Sequence, residues 1–298
     1  MKAYAKINLL LRICGRLSNG YHRLITLMHT IDLCDEVEIE YDSGKAFGIS
    51  VDCGHALDID EKSNLCYLAA DAFFSRMNKK NEIMPFVHIR VKKNIPSQAG
   101  LGGGSSDAAC VLRLLQEHFG KPFSKRQLHS IASTLGADVP FFLYGGCAVC
   151  EGTGEIITRV QSLDGLQLII VKPSEGVMPP QCFKLADEYG FDEGKIDDEY
   201  FSFADILDYS QLEPLDKVLD IKNLLINDLE RPARELMPKI GEVIDIIDEQ
   251  GSLHTAMSGS GSACFGLFTS EEDAKRAFDS LSGDQRLSDC RIYHSVTC

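Results

Sequence analysis

The chain has 298 residues, 44% of them apolar, with 30 Lys and Arg against 44 Asp and Glu, for a formal net charge of −14. That length fits two domains, the acidic balance opposes binding to a nucleic-acid backbone, and no run of eighteen or more apolar residues marks a membrane span. Eleven cysteines at irregular gaps do not form a disulfide framework, and the N-terminus lacks the apolar core of a signal peptide, so a reducing, cytoplasmic location is expected.

Residues 3 to 13 alternate, with Ala3, Ala5, Ile7, Leu9 and Leu11 on one strand face and Tyr4, Lys6, Asn8 and Leu10 on the other. Asn19-Gly20 marks a tight reversal, an apolar run returns from Leu24 to Ile31, and Val37 to Glu40 reads as a third strand. Ser63-Asn64 caps a helix carrying Leu65, Leu68, Ala69, Ala72 and Phe73. Val87 to Val91 is a strand that feeds a glycine-rich loop at 96–104, followed by a helix from about Ser105 to Phe119. Ser124 opens another helix, ended by Gly136. Cys147-Ala148-Val149-Cys150 has no second Cys/His pair at zinc-ligand spacing and reads as a buried strand rather than a metal or redox site.

Near 160 the pattern restarts, with a strand at Leu166–Val171 and an acidic, loop-rich stretch at 187–208 that resists assignment. Helices are expected at Asn227–Leu236, Gly241–Asp248 and Glu271–Leu281. Strands are expected at Thr255–Met257, Ala263–Phe268 and Cys290–Val296, the first two flanking a second glycine loop.

The strongest chemical signal is Pro96-Ser97-Gln98-Ala99-Gly100-Leu101-Gly102-Gly103-Gly104-Ser105-Ser106-Asp107-Ala108-Ala109. Glycines let the backbone approach a ligand closely, and the helix that follows offers unpaired N–H groups and a positive dipole end to a polyphosphate. A flexible linker is the alternative, but linkers do not end in an amphipathic helix with Ala108, Val111, Leu112 and Leu115 on one face. Ser105 and Ser106 add hydroxyls for phosphate, and Ser106 is a candidate magnesium ligand. The loop is neither a Walker A motif nor a dinucleotide fingerprint, and the elements of a protein kinase are absent.

This loop resembles the ATP-binding motif of the GHMP kinase superfamily, which includes galactokinase, homoserine kinase and mevalonate kinase. Met257-Ser258-Gly259-Ser260-Gly261-Ser262 is similar to that superfamily's third motif. Ala5-Lys6-Ile7-Asn8-Leu9, Gly20-Tyr21-His22 and Leu135-Gly136-Ala137-Asp138-Val139-Pro140 narrow the resemblance to members acting on a cytidine diphosphate-linked methylerythritol in the non-mevalonate isoprenoid pathway. The similarity runs through 3–160 and resumes at 223–268.

The resemblance implies a two-domain α+β fold. Its first domain would be ribosomal-protein-like (ATP-binding, 1–160) and its second ferredoxin-like (substrate-side, 161–298), with the active site in the cleft between them. It implies ATP as phosphoryl donor with Mg2+, direct in-line transfer, a small-molecule substrate with no nucleic-acid or membrane partner, and a monomer or weak homodimer. Asp138 matches the catalytic carboxylate and Lys6 the catalytic lysine; from the local sequence alone Asp138 reads rather as a turn former and Lys6 as a solvated strand lysine. Asn64, Lys93, Pro96, Gly100, Leu101, Gly102, Gly103, Gly104, Ser105 and Ser106 match the ATP site. Asn8, Tyr21, His22, Phe183, Gly259 and Ser260 match the substrate site, with Tyr21 and Phe183 as the two faces of an aromatic sandwich and His22 on the base edge. One departure is local: Met178-Pro179-Pro180-Gln181-Cys182-Phe183 lacks the family's Ser or Thr and stiffens the backbone. Another superfamily kinase, acting on homoserine, mevalonate or a sugar, is the enzymatic alternative. A non-catalytic metabolite-binding relative is the alternative of a different class.

Overall fold

A computed structural model describes residues 1–54, 60–77, 84–191 and 213–298. Residues 192–208 of the acidic stretch lie outside the described residues.

Strand β1 (Lys2–Arg16) and strand β2 (His22–Asp42) flank the Asn19-Gly20 reversal, where Gly20 has φ of +87°. The two stretches expected as separate strands at Leu24–Ile31 and Val37–Glu40 are one continuous strand, because no glycine or proline interrupts residues 22–42. Strand β3 (Gly48–Asp52) has no clear sequence signal. Helix α1 (Leu65–Arg76) begins where the Cys66 N–H donates to Asn64 Oδ1 at 2.8 Å, and β4 (Phe86–Lys92) follows. Helix α2 (Gly103–His118) starts two residues earlier than expected, with left-handed Gly102 as its cap residue and no side-chain cap. Helix α3 (Lys125–Ser133) carries a capping box between Ser124 and Gln127, and Asp138 precedes the single turn α4 (Val139–Phe142).

Cys147 and Cys150 are both buried on β5 (Cys147–Gly152), followed by β6 (Ile156–Arg159) and β7 (Gln167–Pro173). Pro179 and Pro180 do not break the chain here. They open helix α5 (Pro179–Glu188), where a missing N–H costs no intrahelical bond. Then come α6 (Pro214–Ile221), α7 (Glu230–Leu236), α8 (Lys239–Asp248), β8 (His254–Met257), β9 (Cys264–Phe268), α9 (Glu271–Ser282) and β10 (Cys290–Val296).

These elements form two compact units, each discontinuous in sequence. One contains Met1–Ala5, Leu33–Ser97 and Gly102–Tyr144. Within it the second half of β2 pairs antiparallel with β4, and β3 pairs parallel with β4. Helices α1 and α2 pack together, and Phe73 sits among Phe74, Phe119 and Phe123. The other unit contains Lys6–Asp32, Gln98–Leu101 and Gly145–Cys298. In it the first half of β2 pairs antiparallel with β5, β5 pairs with β6, and a separate antiparallel sheet runs β10-β7-β9-β8. Ile169, Val171 and Phe268 of that sheet bury against Val243 and Ile247 of α8 and Ala277 of α9, joined by Cys182 and Ala186 of α5. Removing such area from water is the main stabilising term of a core this size. Among the described residues no helix is long and apolar enough to cross a membrane.

Candidate active site

In the second unit, β1 turns two polar side chains inward: Lys6 is 3% exposed and Asn8 2%. Burial of an ammonium is tolerable only with acceptors around it. Lys6 Nζ donates to Asn8 Oδ1 at 2.5 Å and to the Gly100 carbonyl at 2.8 Å. Asn8 Nδ2 donates to Thr26 Oγ1 at 2.8 Å, and the Thr26 hydroxyl donates in turn to the Leu10 carbonyl at 2.6 Å. The amide of Asn8 is thus engaged at both ends, one of them orienting the lysine.

The two glycine loops meet backbone to backbone beside this pair. Ser262 and Ala263 N–H donate to the Gln98 and Ala99 carbonyls at 3.3 and 3.1 Å, and Ser258 Oγ donates to the Gly100 carbonyl at 3.0 Å. A Cβ on Gly100, which has φ of +72°, would stand 2.0 Å from the Ser258 carbonyl oxygen, so only glycine fits. Gly259 has φ of +57°, and a Cβ there would lie 3.2 Å from Asn8 Oδ1 and 3.3 Å from Lys6 Nζ. Asn227, which the sequence did not single out, holds the second loop: its Nδ2 donates to the Met257 and Gly259 carbonyls at 2.7 and 2.8 Å. Leu101 is buried and accepts from Lys6 N–H at 3.0 Å, while Ser260 is half-buried.

In the first unit, the start of α2 rests on a buried charge cluster. Lys93 Nζ donates to Asp107 Oδ2 at 2.6 Å and also to Asp35 Oδ2. Asp35 Oδ1 accepts from the Asn94 and Ile95 N–H groups at 2.5 and 2.8 Å, tying β2 to the chain that leads into the loop. A Cβ on Gly103 would stand 3.5 Å from Lys93 Nζ, so the ammonium lies under the first turn of α2. Burial alone would pull Lys93 down, but the two carboxylates outweigh it and hold the ammonium above its ordinary value. Burial, with Asp35 nearby, pushes the Asp107 carboxyl up against the opposing pull of Lys93. Asp107 Oδ1 is buried and has no hydrogen-bond partner among the described residues. Neither Asp35 nor Asp107 was read as functional; the one signal was Asp107's position at the head of a helix with a glycine-rich start.

Asn64 lies at the start of α1, its Nδ2 3.4 Å from Cys53 Sγ. Pro96 and Ser105 are half-buried, Gly104 is exposed and Ser106 is buried. Asp138 is half-buried, in the turn before α4.

At the β1–β2 hairpin, in the second unit, Tyr21 is 67% exposed. His22 Nε2 lies 2.5 Å from Asp187 Oδ1, and its ring stacks on Phe183 with centroids 4.7 Å apart and planes inclined by 19°. Phe183 thus meets His22, and among the described residues no ring contact joins Phe183 to Tyr21.

The two-domain fold, the pair of interlocked glycine loops and the buried lysine define a small-molecule kinase of the GHMP class. Residues 64–146 match the GHMP kinases N-terminal domain and residues 209–285 the GHMP kinases C-terminal domain, and the chain belongs to the GHMP kinases. A 4-diphosphocytidyl-2-C-methyl-D-erythritol kinase of Desulfitobacterium hafniense (strain Y51) is 38% identical over 277 residues, covering 93% of this chain and 89% of the relative. The enzyme of the same name from Clostridium perfringens (strain SM101 / Type A) is 36% identical, covering 99% and 98%. A crystal structure of 4-(cytidine 5'-diphospho)-2C-methyl-D-erythritol kinase superposes with a TM-score of 0.76 at 30% identity, covering all of this chain and 98% of the other. Homoserine kinase from Cytophaga hutchinsonii shares the fold at a TM-score of 0.70 and 17% identity, covering 100% and 95%.

Proposed function

We propose that the protein transfers the γ-phosphoryl group of ATP to the 2-hydroxyl of 4-(cytidine 5'-diphospho)-2-C-methyl-D-erythritol. The observation that carries this reading is the shared identity of the curated relatives, 35–38% across nearly the whole chain, all of them kinases of that compound.

In this reading the N–H groups at the start of α2, left without a side-chain cap, receive the phosphates together with the Ser105 hydroxyl. Lys93 and Asp107 hold that first turn in place from below. The unpartnered Asp107 Oδ1 and the hydroxyl of Ser106 suit a group that brings a cation or a donor with the nucleotide. Magnesium carried on the phosphates would supply charge neutralisation there. Asp138 accepts the proton of the attacking hydroxyl. The new bond joins O2 to the γ-phosphorus as the bond to the β-bridging oxygen breaks, and ADP leaves with that electron pair. Lys6, fixed by Asn8 and Gly100, supplies a positioned positive charge that stabilises the charge of the transferring group. Tyr21 and Phe183 offer faces to the cytosine and His22 reads its edge, a base–aromatic contact contributing about 1–3 kcal/mol.

The test is product identity. Phosphorus NMR of the reaction with magnesium-ATP should show one new phosphomonoester on carbon 2, with the diphosphate bridge to cytidine intact. A phosphate on another hydroxyl, or ADP accompanied only by inorganic phosphate, would contradict the proposal.

A further inference from the structure

We infer that Asp187 is the positioning residue that makes His22 select a pyrimidine bearing a 4-amino group over one bearing a 4-oxo group. The inference rests on the substrate reading above and deepens it.

Asp187 and Phe183 lie one helical turn apart on α5, and so share a face. That face presents a ring and a carboxylate to the same imidazole: Phe183 stacks on it at 4.7 Å and Asp187 Oδ1 meets Nε2 at 2.5 Å. Arg16 Nη1 sits 3.5 Å from the other carboxylate oxygen, which fixes the carboxylate in turn. Both side chains are largely covered, His22 at 11% and Asp187 at 19% exposure. The imidazole is therefore held in plane and in rotation, at the first residue of β2 beside the exposed Tyr21.

An ionised carboxylate only accepts, so the proton of a neutral imidazole is drawn to Nε2, and Nδ1 is left with a lone pair. Nδ1 makes no hydrogen bond among the described residues. A lone pair fixed in that way can meet only a donor. The base edge of cytosine has one donor, the 4-amino group, beside the acceptors N3 and O2. Uracil in the same pose sets its O4 lone pair against Nδ1. Its N3–H could reach Nδ1 only by sliding the base along its edge, which displaces the ribose and diphosphate behind it. An acceptor built to take the amine thus rejects the oxo analogue through an unpaired, repelling contact.

Steady-state kinetics with the diphosphocytidyl substrate and its diphosphouridyl counterpart test this. The wild-type protein should favour the cytidine compound by about 100-fold or more in kcat/KM. Asp187→Ala should raise KM for the cytidine compound, leave KM for ATP where it was, and cut the cytidine-to-uridine ratio by about tenfold or more. Asp187→Asn should recover part of that ratio, since its carbonyl oxygen can still accept from Nε2–H. In a His22→Ala background Asp187→Ala should leave the ratio unchanged, because the residue it positions is gone. A wild-type ratio in Asp187→Ala would overturn the inference, as would an equal loss of the ratio with and without His22, or a parallel fall for both nucleotides. A wild-type protein that turns over neither compound would overturn the substrate reading itself, and the inference with it.

Discussion

The ammonium of Lys6 donates to the carbonyl oxygen of Gly100 at 2.8 Å, so the buried cation of β1 is anchored on the backbone of the first glycine loop. The second loop closes over the same pair, with the Cα of Gly259 so near that a methyl group there would press on Lys6 Nζ and Asn8 Oδ1 together. Loop geometry and the placement of the charge are therefore one constraint.

Gly259→Ala should expose that constraint. The substitution adds a methyl group 3.2–3.3 Å from three polar atoms and places a side chain at positive φ, which costs about 1–2 kcal/mol in stability. Turnover should fall on the order of tenfold or more as Lys6 is displaced, a 1.4 kcal/mol change in barrier. Thermal unfolding and kcat measured on one preparation separate the two effects.

Asp138→Asn keeps the shape of the turn before α4 and removes the proposed base. Turnover should drop about 100-fold or more, the usual reach of general-base catalysis, while ATP affinity by calorimetry stays close to wild type. Near-normal turnover would remove Asp138 from the mechanism.

Lys93→Met leaves two buried carboxylates facing each other without their shared cation. Breaking a buried ion cluster in this way costs about 3–5 kcal/mol, read as a lower denaturant midpoint at unchanged slope. Adding Asp107→Asn should return part of the loss, because one of the repelling charges is then gone.

Two buried imidazoles should each contribute a loss on the acid side of the stability profile. Burial pulls His254 down to about 4 and holds His29 below its ordinary value, in the latter case against the Thr30 carbonyl and Asp164. Unfolded, both titrate near 6.5, so between about 6.5 and 4 the unfolded chain binds more protons and stability falls as pH falls. Asp107 acts with the opposite sign, since burial raises its carboxyl and protonation there favours the folded state. For His254 alone the loss approaches about 3 kcal/mol once the pH is below its folded value. Because His254 Nε2 is buried without a hydrogen-bond partner among the described residues, His254→Leu should remove its share of the acid loss below pH 6.5. A profile with unchanged slope in that variant would assign the acid loss elsewhere.

The elements readable from sequence are those built on local chemistry. Asn64 and Ser124 cap helices through side chains two or three residues from the N–H groups they satisfy, and Asn19-Gly20 reverses a chain that alternates on both sides. The phosphate-type loop is legible for the same reason, since glycines and a helix start are adjacent in sequence. The cluster around Lys93 is not, because its partners lie 14 and 58 residues away, and a lone Asp35 inside a strand carries no pattern. The Asp187 contact to His22 spans 165 residues and depends on α5, a helix that the stiff Pro179-Pro180 pair does not announce although prolines suit a first helical turn. Strand β3 escaped notice because its five residues pair parallel to β4, a long-range partnership that leaves no periodic trace of its own.

The most direct test of the account is ADP release with magnesium-ATP against four acceptors: the diphosphocytidyl-methylerythritol compound, homoserine, mevalonate and galactose. The account predicts rapid turnover with the first and only background with the other three. Turnover with homoserine, mevalonate or galactose in its place would contradict the substrate assignment, and no turnover with any of them would contradict the kinase reading.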